Sequence, residues 1–262
     1  MTAQFLDPLP IWVVFAAFAA ITLVCYEVGF RLGRWWQDRV PGEQEGPTDA
    51  LVGSLLALMA FLLAVTMGMA SDRFDSRRGM VLTEANAIAQ AYLQADYLPE
   101  PAAEATKELL RQYLPLRIVA AGGAQVAGNV ERSHELQEEM WSLFVGVVQT
   151  GHSPDLMSSL GDSLTEIVNV DEARVVAGLY ARVPETVVWL LLVGSALSLG
   201  MVGYSAGVKG HRSILSAVVL VLALGIVLAM VIDLDRPQDG LINVSQQPLT
   251  DVQRRIGLPG EA

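Results

Sequence analysis

Charged residues at the ends of two apolar stretches are the groups in this sequence best suited to act on ions. They are Arg73, Arg77 and Arg78 after one stretch, and Asp233, Asp235 and Arg236 after another. Both groups are expected at the same membrane side and depth, so the arginines can pair with the aspartates and tie the two ends together. The alternative is a charged ring at a pore mouth, which concentrates ions of one sign.

A polar, uncharged stripe follows the arginines. Thr83, Asn86, Gln90 and Gln94 are three or four residues apart, which places them on one side of a helix. The stripe is either a solvated face, or a wet vestibule or hydrogen-bonded contact between subunits. If a pore exists, we expect it to be lined by this stripe and, inside the preceding apolar stretch, by Thr66 and Met67.

Glu27 is an acid near the end of the first apolar stretch. An ionisable group at such a depth is costly, so a role in a pore or relay has to be considered. Arg31 lies four residues further on, and the alternative is an ion pair between the two side chains that reaches the membrane surface. No other charged residue lies inside the apolar stretches, which argues against a proton-coupled transporter.

Enzymatic chemistry finds no support in the sequence. His134 and Glu138 are four residues apart, but two ligands do not make a metal site, and the single cysteine, Cys25, lies inside an apolar stretch. Phosphate loops, nucleophile elbows and zinc-protease motifs are missing. We therefore expect no catalytic residue, no metal and no cofactor, and we predict that the protein is not an enzyme.

Four apolar stretches, grouped as two pairs, must position these side chains. They cover approximately residues 10–29, 50–70, 185–206 and 213–232. Each has about 20 residues, the length of a helix that crosses a hydrocarbon core of about 30 Å. The sequence predicts an all-α integral membrane protein with four transmembrane helices and a helical extramembrane insert between the second and third.

The predicted domain order follows from these stretches. It comprises a first transmembrane hairpin over residues 1–70, a helical extramembrane domain over 71–184, a second hairpin over 185–232 and an extramembrane tail over 233–262. No proline occurs from Ala50 to Leu98, so the second span is expected to continue beyond the bilayer as one helix.

The distribution of basic residues sets the expected orientation. The two short connections between paired spans carry Arg31, Arg34 and Arg39 in one case, and Lys209 and Arg212 in the other. Because short basic loops tend to stay in the cytoplasm, we expect a cell (inner) membrane protein whose middle domain and both termini are extracytoplasmic. The net charge of −11 disfavours nucleic acid as a partner.

Small residues recur at helical spacing in two spans. The second span carries Gly53, Ala57, Ala60, Ala64 and Gly68, and the third carries Gly194, Ser198, Gly203 and Gly207. Such stripes let helix backbones approach closely in lipid. Four spans with so few polar positions leave no room for an aqueous pore in one subunit, so a pore requires a homo-oligomer with the pore on its symmetry axis.

Several motifs resemble one known family. They are Arg77-Arg78, Glu84-Ala85-Asn86-Ala87, Ala91-Tyr92, Ala95-Asp96 with Leu98-Pro99, and the ending Asp233-Leu234-Asp235-Arg236-Pro237 followed by Gly240, Val244 and Pro248-Leu249. These motifs and the order of spans resemble the bestrophin-like family of membrane proteins. The resemblance implies the four-span architecture and, through the family's name, kinship with bestrophins, which are oligomeric anion channels.

Two functions remain open from the sequence. The first is an oligomeric, channel-like membrane protein of undetermined ion selectivity, with the lipid bilayer, copies of itself and ions as partners. The second is a non-conducting scaffold or sensor whose helical domain binds a partner or a ligand.

Overall fold

A computed structural model describes residues 9–40, 46–118, 123–151, 154–179, 182–236 and 240–257. These residues form eight α-helices and a short 3₁₀ turn, and the described part of the chain has no strand. The helices are α1 (Ile11–Arg39), α2 (Gly46–Gln94), α3 (Ala102–Arg117), α4 (Gly123–Val148), α5 (Pro154–Leu179), α6 (Glu185–Val208), α7 (Ile214–Asp235) and α8 (Gln247–Arg255).

Four of these helices, α1, α2, α6 and α7, are long and apolar enough to cross a membrane. The predicted all-α class with four spanning helices is confirmed. Helix α2 has 49 residues, so at 1.5 Å per residue it is about 70 Å long, more than twice what a bilayer core requires. It ends where the 3₁₀ turn Ala95–Tyr97 leads into Pro99.

The chain divides into two compact units. The first consists of Met1–Phe74 and Ala181–Asn243, and the second of Asp75–Tyr180 and Val244–Ala262. Helix α2 contributes its first part to one unit and its last part to the other.

In the first unit, α1 and α6 pack with their backbones in direct contact. A Cβ atom built on Gly29 would lie 2.0 Å from the carbonyl oxygen of Gly200, and one built on Gly203 would lie 2.0 Å from that of Tyr26. A Cβ atom built on Gly33 or Gly207 would also be too close, at 2.2 Å from a carbonyl oxygen of the other helix. Only glycine fits at these four positions, which is how two membrane helices reach such a close approach.

The paired positions advance together along both helices, since Gly29 faces Gly200 and Gly33 faces Tyr204. Helices α1 and α6 are therefore parallel, as the first and third spans of a four-span protein should be. Apolar side chains from α1, α2, α6 and α7 fill the remaining interior: Val14, Phe18, Met59, Leu63, Leu191, Leu228 and Ile232.

The second unit is a small helical domain with its own apolar core. The last part of α2 packs with α3, α4 and α5 around fully buried side chains that include Ile88, Leu110, Leu136, Leu160 and Ile167. Helix α8 completes this core with Leu249 and Val252, together with Ile256 directly after the helix. The C-terminal segment is thus part of the domain that the middle of the chain builds.

Candidate functional site

A stripe of small residues runs along the exposed side of α2 in the first unit, beside larger exposed side chains such as Phe61. Gly53, Ala57, Ala64 and Gly68 are all exposed, and their spacing of four, seven and four residues keeps them on one side of the helix. A Cβ atom at Gly53 or Gly68 would meet no atom within 4 Å. The predicted small-residue stripe of α2 therefore faces away from the subunit's own interior.

The opposite face of α2 is buried and carries one of the predicted lining residues. Thr66 is 2% exposed, and its hydroxyl donates a 2.7 Å hydrogen bond to the carbonyl oxygen of Leu62 in the same helix. Met67 is half-buried and packs against an apolar cluster that includes Val183 and Val231. Thr66 thus points into its own subunit, because it lies about half a turn away from Gly68 around α2.

The polar stripe divides in the second unit. Thr83, Asn86 and Gln90 are exposed, and the Thr83 hydroxyl donates to the carbonyl oxygen of Gly79 at 3.1 Å. Gln94 is buried instead: its amide donates to Ser159 Oγ at 2.7 Å, and its Oε1 accepts from Ser163 Oγ at 2.8 Å. Three of the four residues share an exposed face, whereas Gln94 joins the end of α2 to α5.

This difference gives a matched pair of substitutions. Gln94→Ala should lower the free energy of unfolding by about 1–3 kcal/mol, because the hydroxyls of Ser159 and Ser163 lose their hydrogen bonds to the Gln94 amide. Gln90→Ala, one helical turn away and exposed, should change it by less than about 0.5 kcal/mol. Chemical unfolding followed by circular dichroism measures both, and equal effects would contradict the assigned hydrogen bonds.

The two aspartates in the last turn of α7 accept hydrogen bonds from backbone amides. Asp233 accepts hydrogen bonds from the amides of Leu241 at 2.8 Å and Ile242 at 2.9 Å, so the chain folds back onto the helix end. A Cβ atom at Gly240 would lie 3.0 Å from Asp233 Oδ1, a tight contact that favours glycine at this position. This contact gives a structural reason for the Asp and Gly of the C-terminal motif; Pro237 lies outside the described residues.

Asp235 and Arg236 bind two further segments of the first unit. Asp235 Oδ1 accepts from the amide of Val183 at 2.8 Å, and Arg236 Nη2 donates to the carbonyl oxygen of Leu9 at 2.7 Å. Among the arginines of α2, Arg77 is buried, Arg73 is half-buried and Arg78 is exposed. The pairing of Arg77 or Arg78 with these aspartates stays a prediction, and so does a charged ring.

Glu27 binds two arginines. Its Oε1 accepts from Arg31 Nε at 2.9 Å, the pair expected from the spacing, and its Oε2 accepts from Arg212 in the connection between α6 and α7. Nearby, both carboxylate oxygens of Asp49 bind Lys209 Nζ at 2.6–2.7 Å, and Ser205 Oγ donates to Oδ1 at 2.9 Å. The connection between α6 and α7 is thus fastened to α1 and α2 by ion pairs.

The second unit contains a buried charged network that was not predicted from the sequence. Glu84 is fully buried, and its two carboxylate oxygens bind Arg117 Nε at 2.6 Å and Arg174 Nη1. Arg117 also reaches the buried Asp171, with 2.6 Å between Nη1 and Oδ1. Two carboxylates and two guanidinium groups from α2, α3 and α5 therefore compensate one another inside the helical domain.

Neutral side chains complete this network, which we call the Glu84 cluster. Gln137 of α4 donates to Asp171 Oδ2 at 2.8 Å and lies 3.1 Å from Tyr113 Oη, while the Tyr113 hydroxyl donates to Glu84 Oε1 at 3.4 Å. Burial lowers the pKa of Arg117, but Tyr113, Glu84 and Asp171 outweigh burial and the pKa is raised overall. Arg117 therefore stays charged at any physiological pH.

The Glu84 cluster implies a measurable response to alkali. Burial is the main cause that raises the pKa of Tyr113, although the neighbouring Arg117 opposes it. Because the unfolded tyrosine ionises near pH 10, the stability that this raised pKa provides is complete below about pH 10 and is lost as pH rises further. Tyr113→Phe should remove this dependence, seen as a flatter plot of unfolding free energy from pH 9 to 11; an unchanged slope would contradict it.

The geometry gives His134 a different partner from the one that its spacing suggested. His134 Nε2 lies 3.7 Å from Asp171 Oδ2, at the edge of the Glu84 cluster, rather than forming a site with Glu138. The described residues contain no group of three or more His, Cys, Asp or Glu side chains able to hold a metal ion.

Comparisons with known proteins agree with this architecture. The sequence profile of the bestrophin-like domain matches residues 16–249. Comparison with curated proteins gave no match. Among solved structures, a bacterial bestrophin homologue from Klebsiella pneumoniae is 12% identical, with a TM-score of 0.69 over 95% of this chain and 100% of that chain.

Two mutant structures of the Klebsiella pneumoniae homologue give similar results. A tyrosine-to-alanine mutant is 13% identical, with a TM-score of 0.69 over 91% of this chain and 96% of that chain. An aspartate-to-alanine mutant is 11% identical, with a TM-score of 0.64 over 93% of this chain and 97% of that chain. The shared fold extends over nearly the whole length of both chains. With a family profile that matches all four spans and the helical domain, this chain belongs to the bestrophin-like family of membrane proteins.

Proposed function

We propose that the protein is an oligomeric, channel-like membrane protein whose pore lies on the symmetry axis and is lined by α2. One observation carries this proposal: α2 presents small residues on its exposed face in the first unit and the exposed Thr83, Asn86 and Gln90 in the second. A helix face that is small and then polar suits a narrow membrane passage with a wet vestibule beyond it.

The packing within one subunit supports a pore axis that lies outside that subunit. Helices α1 and α6 touch backbone to backbone, and apolar side chains fill the space among the four spans. An ion crossing that interior would lose its hydration without replacement, at prohibitive cost. Copies of α2 can instead surround an axis with Gly53, Ala57, Ala64 and Gly68 facing it, because these small side chains leave space along the axis, while the larger exposed Phe61 lies beside them.

The relatives add to this reasoning. Membership of the bestrophin-like family and a fold similar to that of a bacterial bestrophin homologue support ion conduction through such an assembly. The buried position of Thr66 shifts the proposed lining from Thr66 and Met67 toward the small residues beside them. In the polar stripe, the burial of Gln94 makes it a structural residue, so the proposed vestibule lining consists of Thr83, Asn86 and Gln90.

Mass and current test the proposal together. The protein purified in mild detergent should give a particle several times the 28.2 kDa mass of one chain by mass photometry. In planar bilayers it should give reproducible currents, whose reversal potential under a salt gradient reports the ion selectivity. A strict monomer in several detergents and lipids would overturn the axial pore, and silence of an intact oligomer would favour the scaffold or sensor.

Orientation forms a separate part of the proposal. We propose an inner-membrane location with the helical domain and both termini outside the cytoplasm. In a Cys25→Ser background, Gln149→Cys should react with an impermeant maleimide on intact cells, and Glu43→Cys, outside the described residues, should stay protected. The reverse labelling pattern would place the helical domain in the cytoplasm.

A further inference from the structure

Two arginines from different segments converge on one carboxylate in the second half of α1. Arg31 of α1 and Arg212, which follows α6, bind opposite oxygens of Glu27. Their side chains are 77% and 48% exposed, whereas that of Glu27 is 30% exposed. One carboxylate thus fixes two guanidinium groups beside each other, and about one unit of positive charge is left uncompensated.

A third arginine adds to this charge. Arg34 is exposed, and among the residues that the structure describes it makes no ion pair. Its backbone lies against α6, since a Cβ atom at Gly207 would come within 2.9 Å of the Arg34 nitrogen. The nearby acid Asp49 is already bound to Lys209. Arg31 and Arg212 therefore share the acid Glu27, and Arg34 follows Arg31 by about one turn on α1, with the exposed Asp38 one turn further on.

The surface beside these arginines is apolar and aromatic. Val24, Val28 and Leu32 of α1 are at least half exposed, and Trp35 follows them, with the Arg39 guanidinium 3.9 Å above its ring. Exposed aliphatic residues that end at tryptophan and arginine mark the level where acyl chains give way to headgroups. A ligand at this place would have its charged part on the arginines and its apolar part along α1.

We propose that Arg31, Arg34 and Arg212 form a binding site for the phosphate group of an anionic phospholipid. Guanidinium groups match phosphate oxygens in geometry as well as in charge, and basic pockets between transmembrane helices favour anionic headgroups. Glu27 acts as a positioning residue that orients Arg31 and Arg212 and leaves their remaining N–H groups for the phosphate. The site does not depend on ion conduction.

Lipid competition on the full-length protein tests this site. Native mass spectrometry, after exchange into a mixture of phosphatidylglycerol and phosphatidylcholine with identical acyl chains, should show preferential retention of phosphatidylglycerol. Each arginine near an anionic surface contributes about fivefold in affinity, so Arg31→Gln with Arg34→Gln should weaken that retention by roughly 25-fold. Both side chains are exposed, so the variant should keep its fold.

The control removes the same charge elsewhere. Arg132→Gln with Arg254→Gln changes two exposed arginines of the second unit and should leave retention unchanged. Equal retention in both double variants, or no preference over phosphatidylcholine in the wild type, would overturn the proposal. Binding of inorganic phosphate to the wild-type protein without preferential retention of phosphatidylglycerol would overturn it too, because the site would then bind the free anion and not the lipid.

Discussion

Alanine at Gly203 should disrupt the first unit, whereas alanine at Gly200, three residues away on the same helix, should be tolerated. The Cβ atom at Gly203 would lie 2.0 Å from the Tyr26 carbonyl oxygen and 3.0 Å from the Phe30 nitrogen. Both are backbone atoms of α1, so no side chain can move aside, and the two helices must separate. At Gly200 the nearest contact would be 3.7 Å from the Cys25 carbonyl oxygen, an ordinary distance.

The expected difference between these two variants is large. Gly203→Ala should cost at least about 3 kcal/mol, the upper range for overpacking, and should lower the yield of folded protein. Gly200→Ala should be neutral or stabilising by up to about 1 kcal/mol, because alanine is the better helix former. Unfolding by dodecyl sulfate in mixed micelles measures both, and equal stabilities would refute the α1–α6 contact.

Neutralising Glu84 should be the most damaging single change in the helical domain. Glu84→Gln removes the carboxylate partner of the partly buried Arg174 and leaves the buried Arg117 with Asp171 alone. Breaking a buried ion pair on one side typically costs about 3–5 kcal/mol. Glu108→Gln is the control, because its side chain is 55% exposed and its pair with Arg111 should contribute about 0–1 kcal/mol.

A second substitution shows whether the charges act as a unit. Arg117→Met alone should be as harmful as Glu84→Gln, since it leaves Glu84 and Asp171 with a single guanidinium group. The double variant should lose less stability than the sum of the two, because each change removes the partner that the other leaves unpaired. Additive losses, or a Glu84→Gln variant as stable as Glu108→Gln, would mean that the cluster contributes little.

The membrane architecture could be predicted from the sequence because it depends on composition alone. Four apolar stretches of spanning length set α1, α2, α6 and α7, and the family resemblance that their order and motifs indicated is confirmed. Lacking proline from Ala50 to Leu98, α2 was expected to continue as one helix, and it is continuous from Gly46 to Gln94.

Side-chain partners were harder to predict, because they depend on which helices meet. The small residues of α6 were recognised, but Gly29 and Gly33 on α1 were not, since their close contacts come from a helix far away in sequence. An apolar span gives no sign of which face is buried, so Thr66 was assigned to a pore although it points inward. In a soluble helix, periodicity would have shown this face.

The Glu84 cluster left a weak signal in the sequence. Glu84 is the one acid between the polar positions Thr83 and Asn86, and it lies on the opposite side of α2 from Asn86 and Gln90. Arg117 ends α3, and Asp171 and Arg174 are three residues apart on α5. An acid on the apolar side of an amphipathic helix calls for buried basic partners, but the sequence does not say which helices supply them.

The most direct test of the channel proposal compares the two faces of α2 during current recording. In a Cys25→Ser background, Gly68→Cys would place a thiol on the exposed face and Thr66→Cys on the buried face. We predict that a charged methanethiosulfonate reagent changes the current of the Gly68→Cys channel within the recording and leaves that of Thr66→Cys unchanged. Modification of Thr66→Cys alone, or an intact oligomer that carries no current in any variant, would contradict a pore lined by the exposed face of α2.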